Sequence, residues 1–249
     1  MFCLYKEITE KMNSSAQEWF KEWSNEYDRT LGKIERHNEM LNIAVEKSKV
    51  KDGDRILDIG CGTGLLSLKF LEAAECTISG IDLSEDMLNI WKDKIEKLNL
   101  QSRVNIKLMN AEEMDFEDST YDIIASTVTL HHVKDKQPTL NKIYHLLKPG
   151  GRFVIGDIDV DTTGELNDIK RLRHILDYLK EELTLALQDG GVDAFIRMYD
   201  NGKKHILNDG EYCINFKMWS KLCRNADFKN ITITPVESFK WLKVLCAVK

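Results

Sequence analysis

The chain has 249 residues, 43% of them hydrophobic and 31% charged, which describes a globular protein rather than a disordered one. Its net charge of −6 argues against a partner as acidic as a nucleic-acid backbone. Its six cysteines include no C-x-x-C pair, no apolar run reaches membrane-spanning length, and residues 1–12 lack the apolar core of a signal peptide. A reducing, cytoplasmic setting without membrane attachment is expected.

Residues 14–47 have helical periodicity, with Trp19, Phe20, Trp23 and Tyr27 in one stripe and Met40, Leu41, Ala44 and Val45 in another. Such an aromatic stripe either packs on the main domain or forms an N-terminal lid that lines a ligand site. Arg55–Ile59 is a short aliphatic strand, followed by glycines at 60, 62 and 64 and a helix from Leu65. Residues 76–81 form a second strand ending in Asp82. Ser84 caps the next helix, whose buried stripe is Met87, Leu88, Trp91, Ile95 and Leu98. Strands follow at 104–108, 121–126 and 152–157, the last entered through the turn Pro149-Gly150-Gly151, with a helix over about 137–147. Strands alternating with helices up to residue 157 predict a doubly wound parallel sheet.

The pattern changes after residue 159. A long helix over 165–187 carries Leu166, Ile169, Leu172, Leu176, Leu179 and Leu183 on one face, and Asp189-Gly190-Gly191 breaks it. Residues 160–214 read as a helical cap insertion, too short for much core of their own. Asn215 caps another helix, and two strands near 228–234 and 240–248 form an antiparallel pair. One domain over 1–249 is expected: the N-terminal helical segment at 14–47, a ligand-binding core at 50–159, the cap, and the C-terminal helix and strands at 215–249.

The glycine spacing separates the candidate nucleotides. A dinucleotide turn, G-x-G-x-x-G counted from Gly60, needs glycine at position 65, which is Leu65. Asp58 followed by Gly60, Gly62 and Gly64 instead resembles the first motif of the class I S-adenosylmethionine-dependent methyltransferases. Asp82 after the second strand, Asn110-Ala111-Glu112 after the third, Thr127 to Asp135 after the fourth, and Leu146 to Gly151 before the fifth continue the match in order. The resemblance covers residues 50–158 well and the last two strands more loosely. It implies a Rossmann-like, mostly parallel seven-stranded α/β sheet with an antiparallel C-terminal strand. The implied cofactor is S-adenosyl-L-methionine, with S-adenosyl-L-homocysteine as product. Its implied contacts are Asp58, Gly60, Cys61, Gly62, Gly64, Asp82, Leu83, Asn110, Ala111, Glu112 and Thr127, with Tyr27 from the N-terminal segment. Asp82 would take the ribose hydroxyls, Leu83 the adenine face, and Asn110 with Ala111 the adenine edge, where many relatives carry Asp. Taken singly, Asp82 reads as a helix cap and Asn110 as a turn residue.

The acceptor is less legible. His132 and Asp157 stand where some small-molecule O-methyltransferases of this superfamily carry a His and an Asp, and a carboxylate-polarised imidazole is a sound general base. The alternative is that His131 or His132 only organises the loop. Asp157, Asp159 and Asp161 alternate, but Thr162 and Asp168 replace the glycine and glutamate of a calcium loop, so no metal site is expected; the carboxylates either bind a cationic acceptor group or are solvated, and solvation is expected. The N-P-P-Y type sequence of enzymes that methylate planar nitrogens is absent after the fourth strand. A small-molecule O, N or S acceptor is expected, on a monomer or homodimer. A protein acceptor, a nicotinamide dehydrogenase and a cofactor-binding partner without turnover are the competing classes.

Overall fold

A computed structural model describes residues 34–203, 206 and 212–249. Tyr27 and the stripe Trp19, Phe20 and Trp23 lie outside the described residues, as does most of the expected N-terminal lid. Helix α1, Glu35–Ser48, is described, and it buries Met40, Leu41 and Ala44 against the sheet.

The sheet is built from β1 (Arg55–Ile59), β2 (Thr77–Asp82), β3 (Val104–Leu108), β4 (Tyr121–Thr127), β5 (Leu147–Ile158), β6 (Lys229–Pro235) and β7 (Leu242–Val248). Its order is β3-β2-β1-β4-β5-β7-β6, parallel through β5, with β7 antiparallel to both β5 and β6. Strand order reverses between β1 and β4, so the carboxyl ends of those strands open a crevice where ligands bind in such sheets.

Alternate residues of the central strands point to opposite faces, and two cores result. Ile56, Ile78, Ile123 and Val154 face α1, α2 (Leu65–Ala73) and α3 (Glu85–Lys97). Leu57, Ile81, Ile124, Phe153 and Ile155 face α4 (Lys136–Leu146) and α6 (Phe216–Asn225). Ser84 caps α3 by accepting from the Met87 N–H, and Asn215 caps α6 by accepting from the Met218 N–H.

Several local expectations are corrected. Leu98 is not part of the buried stripe of α3; it caps the helix and is 53% exposed. Strand β5 begins at Leu147 rather than Arg152, because Tyr121 pairs with Leu147 while Ile123 pairs with Arg152. Pro149-Gly150-Gly151 is therefore a bulge within β5 and not a turn ahead of it.

The cap helix α5, Ile169–Asn201, kinks at Gly191, where φ is 66° and ψ is −157°. Its buried face is Arg171, Ile175, Tyr178, Leu179, Glu182 and Ala186, whereas Leu166, Ile169 and Leu176 of the expected stripe are exposed. Two buried charged groups set this rotation. Arg171 Nε donates to the Thr162 carbonyl at 2.7 Å, and Glu182 accepts from Arg36 of α1 at 2.8 Å. Turning the leucines inward would leave both charged groups without partners, which costs more than exposing three aliphatic side chains.

Candidate active site

The glycine turn leaves β1 at its carboxyl end, and the Gly60 and Cys61 N–H groups both donate to the Ile81 carbonyl of β2. The three glycines have different tasks. A Cβ on Gly60 would stand 2.2 Å from the Thr129 side chain, and one on Gly64 would stand 2.3 Å from the Trp91 indole. Gly62, at φ +50°, has nothing within 4 Å of its missing Cβ, so the turn is open on this side. Cys61 turns its thiol inward against Gly80, which leaves its backbone as the part facing the turn. Lys94 fixes the loop from α3 by donating to the Thr63 carbonyl at 2.7 Å.

Two carboxylates flank this opening. Asp58 is buried, accepts a hydrogen bond from Ser67 Oγ at 2.6 Å, and has its carboxyl pushed up to about 7 by burial and by the charge of Asp82. Asp82 accepts the Gly62 N–H on one oxygen and the Ser84 N–H on the other, both at 2.8 Å. Burial raises its carboxyl as well, against those two hydrogen bonds. Neither acid has a cationic side chain among the causes of its shift. A cleft that combines an open Gly62 with two disfavoured negative charges fits a cationic ligand.

The Asp82 carbonyl also accepts the Met109 N–H, which holds residues 109–112 beside it. Asn110 accepts the Glu112 N–H at 3.0 Å and starts a short 3-10 turn, Ala111–Glu113. One lone pair of its amide oxygen is thus used locally, and one is left for a ligand. Ala111 is half-buried, Glu112 is exposed, and Leu83 is 40% exposed at the mouth.

On the other side of the crevice Thr127 ends β4, and Leu130–His132 forms a second 3-10 turn. The expected pairing of His132 with Asp157 is corrected here. His131 Nδ1 lies 2.7 Å from Asp157 Oδ1, with both residues buried, while His132 is half-buried with its ring 4.2 Å from that of His131. A 3-10 turn rotates successive side chains by about 120°, so only one of two adjacent histidines can face Asp157. Asp157 Oδ1 also accepts the Ile158 N–H, and its buried Oδ2 has no hydrogen-bond partner.

Lys136, which nothing in the spacing marked as special, is buried beside this pair. Burial lowers its ammonium to about 8, opposed by the charge of Asp157. Its Nζ donates to the Val133 and Tyr212 carbonyls, and the Tyr212 N–H donates to the His131 carbonyl. The exit of the cap is thereby tied to the loop that carries the histidines.

Asp159 and Asp161 are not solvated as expected. Asp159 accepts the Phe216 N–H and pairs with Lys243, and Asp161 accepts from Thr163 and from the Asn215 amide. They fasten the two ends of the cap, and no cluster suited to a metal ion occurs among the described residues. Trp91, Lys94, Ser67 and Thr129 complete the site. Trp91 had a sequence signal as part of a buried stripe and Thr129 as part of the stretch after the fourth strand, whereas Lys94 and Ser67 had none.

Comparison with known proteins places this geometry. A family model described as a methyltransferase domain matches residues 50–203. The 27-O-demethylrifamycin SV methyltransferase of Amycolatopsis mediterranei is 30% identical over 128 residues, covering 51% of this chain and 47% of that protein. The ubiquinone/menaquinone biosynthesis C-methyltransferase UbiE of Haemophilus ducreyi is 29% identical over 145 residues, covering 53% and 55%. The matched region thus spans about half the length of these curated relatives. A phosphoethanolamine N-methyltransferase 2 of Haemonchus contortus, solved with S-adenosylhomocysteine, superposes with a TM-score of 0.61 over 92% of this chain and 60% of that one, at 18% identity. That likeness is one of fold.

Proposed function

Since the chain belongs to the S-adenosylmethionine-dependent methyltransferase family, we propose that it methylates an O, N or S atom of a small molecule by in-line displacement, releasing S-adenosylhomocysteine. The observation that carries this reading is the contact of Thr129 with Gly60, two residues ahead of the His131 that meets Asp157, which links the glycine turn to the loop carrying that buried pair. When bound, the cofactor supplies an electrophilic methyl group on a sulfonium. Asp58 and Asp82 would hold its cationic end and its ribose, Gly62 would admit it, and residues 110–112 would border the base.

On the acceptor side, Asp157 holds His131 through Nδ1. That hydrogen bond selects the tautomer whose Nε2 accepts a proton, as a hydroxyl or ammonium acceptor requires. The cap, tied down through Lys136, Asp159 and Asp161, would exclude water from the crevice. The names of the relatives include both an O-demethylated substrate and a C-methyltransferase, so an activated carbon belongs among the acceptors to be tried.

Transfer of isotope-labelled methyl groups into a fractionated small-molecule extract, with protein and RNA fractions as controls, tests the proposal. Label is expected in the small-molecule fraction and lost in His131→Ala, while calorimetric binding of S-adenosylhomocysteine persists. Label in the protein fraction would favour a protein acceptor. Tight cofactor binding with no labelled product would favour a partner without turnover.

A further inference from the structure

Lys136 is buried and is the first residue of α4. Both conditions oppose a cation. Burial strips the ammonium of water, and the amino end of a helix carries partial positive charge of its own. An unbranched apolar side chain such as methionine would fill the same space without either penalty. The lysine is therefore held here by specific contacts.

Those contacts join two segments far apart in the chain. Lys136 Nζ donates to the Val133 carbonyl, which closes the 3-10 turn of the histidines, and to the Tyr212 carbonyl at the exit of the cap, both at 2.6 Å. The Tyr212 and Trp219 rings lie 5.9 and 5.6 Å from the ammonium. The peptide groups on either side of Tyr212 are thus both engaged, since the Tyr212 N–H donates to the His131 carbonyl at 2.9 Å. One residue on, the Cys213 carbonyl accepts from the N–H and the hydroxyl of Thr162, and the Thr162 carbonyl accepts from Arg171 of α5. Residues 212–213 form a strap from the cap to the backbone of His131, whose ring meets Asp157 at 2.7 Å.

We propose that Lys136 is a positioning residue: its ammonium clamps the Val133 and Tyr212 carbonyls together, and the strap so held keeps His131 seated against Asp157. This rests on the reading of His131–Asp157 as the acceptor-side pair. Methionine in place of Lys136 keeps the packing volume and withdraws the donor from both carbonyls. The strap then moves away from the histidine loop more often, and the His131 ring leaves Asp157 with it.

The full chain with ring-labelled histidine provides the test, with His131 signals assigned by their loss in His131→Gln. In Lys136→Met, exchange of the His131 Nδ1 proton with solvent is expected to accelerate by about tenfold, the equivalent of one lost hydrogen bond. Affinity for S-adenosylhomocysteine should stay near wild type. Lys148→Met serves as the control: it loses an ion pair with Asp122 at the opposite end of β4 and should leave the exchange slow. Should Lys136→Met fail to fold, Lys136→Gln, whose amide nitrogen stops one bond short of the lysine nitrogen, carries the same comparison. Unchanged His131 exchange in a folded Met or Gln variant overturns the proposal, and so does equal acceleration in Lys148→Met. Label transfer that persists in His131→Ala would instead overturn the reading of the acceptor-side pair, and would leave the exchange comparison standing.

Discussion

A buried carboxylate without a cation beside it is unfavourable, and Asp58 expresses this in its acidity. Unfolded, an aspartate loses its proton near ~3.9, whereas burial and the neighbouring Asp82 push folded Asp58 up to about 7. Between those values the folded chain binds the extra proton. Stability from this group therefore falls as pH rises from about 4 to about 7, and is level on either side. Asp58→Asn should flatten the urea-unfolding midpoint across that window. A variant that keeps the wild-type slope would remove Asp58 as its source. The places of Asp58 and Gly62 in the candidate site were legible because a strand-turn-helix motif fixes them within a few residues of each other. The choice between His131 and His132 was not, since it depends on the rotation of a single 3-10 turn relative to β5.

At the scale of elements, the cap is oriented by charge. Arg36 of α1 is buried with Glu182 at 2.8 Å and reaches Asp189, just ahead of the Gly191 kink, at 2.7 Å. Removing Glu182 leaves the buried Arg36 with the part-exposed Asp189 alone, so Glu182→Leu is expected to cost about 1–3 kcal/mol in urea denaturation. Arg36→Met added to it should recover most of that loss. A double variant no more stable than the single would show that the pair is not the source. Helical periodicity located α5 and its break at residues 189–191, because a glycine pair interrupts any apolar pattern. It misassigned the buried face, because counting leucines ignores partners supplied by α1 and by Thr162. The alternation of Asp157, Asp159 and Asp161 was likewise visible, but Asn215, Phe216 and Lys243, which hold Asp159 and Asp161, lie more than 50 positions away from them.

For the whole molecule, the crevice at the β1–β4 switch point joins a cationic-ligand cleft to a buried acid–imidazole pair. A ligand that binds only the folded chain stabilises it by mass action. S-adenosylhomocysteine at a hundred times its dissociation constant should add about 2.7 kcal/mol, a rise in thermal midpoint of roughly 5–10 °C. No shift at saturating concentrations would count against the cofactor site. Amino-acid order alone determined the alternation of strands and helices, the glycine turn and the acids around it, because these are set by contacts within about thirty residues and by backbone geometry that few side chains allow. The tertiary structure alone decided which histidine meets Asp157, which face of the cap is buried, and that Lys136 joins Tyr212 to the histidine loop. Each of these depends on hydrogen bonds and packing between segments distant in the chain, and local spacing carries no record of them.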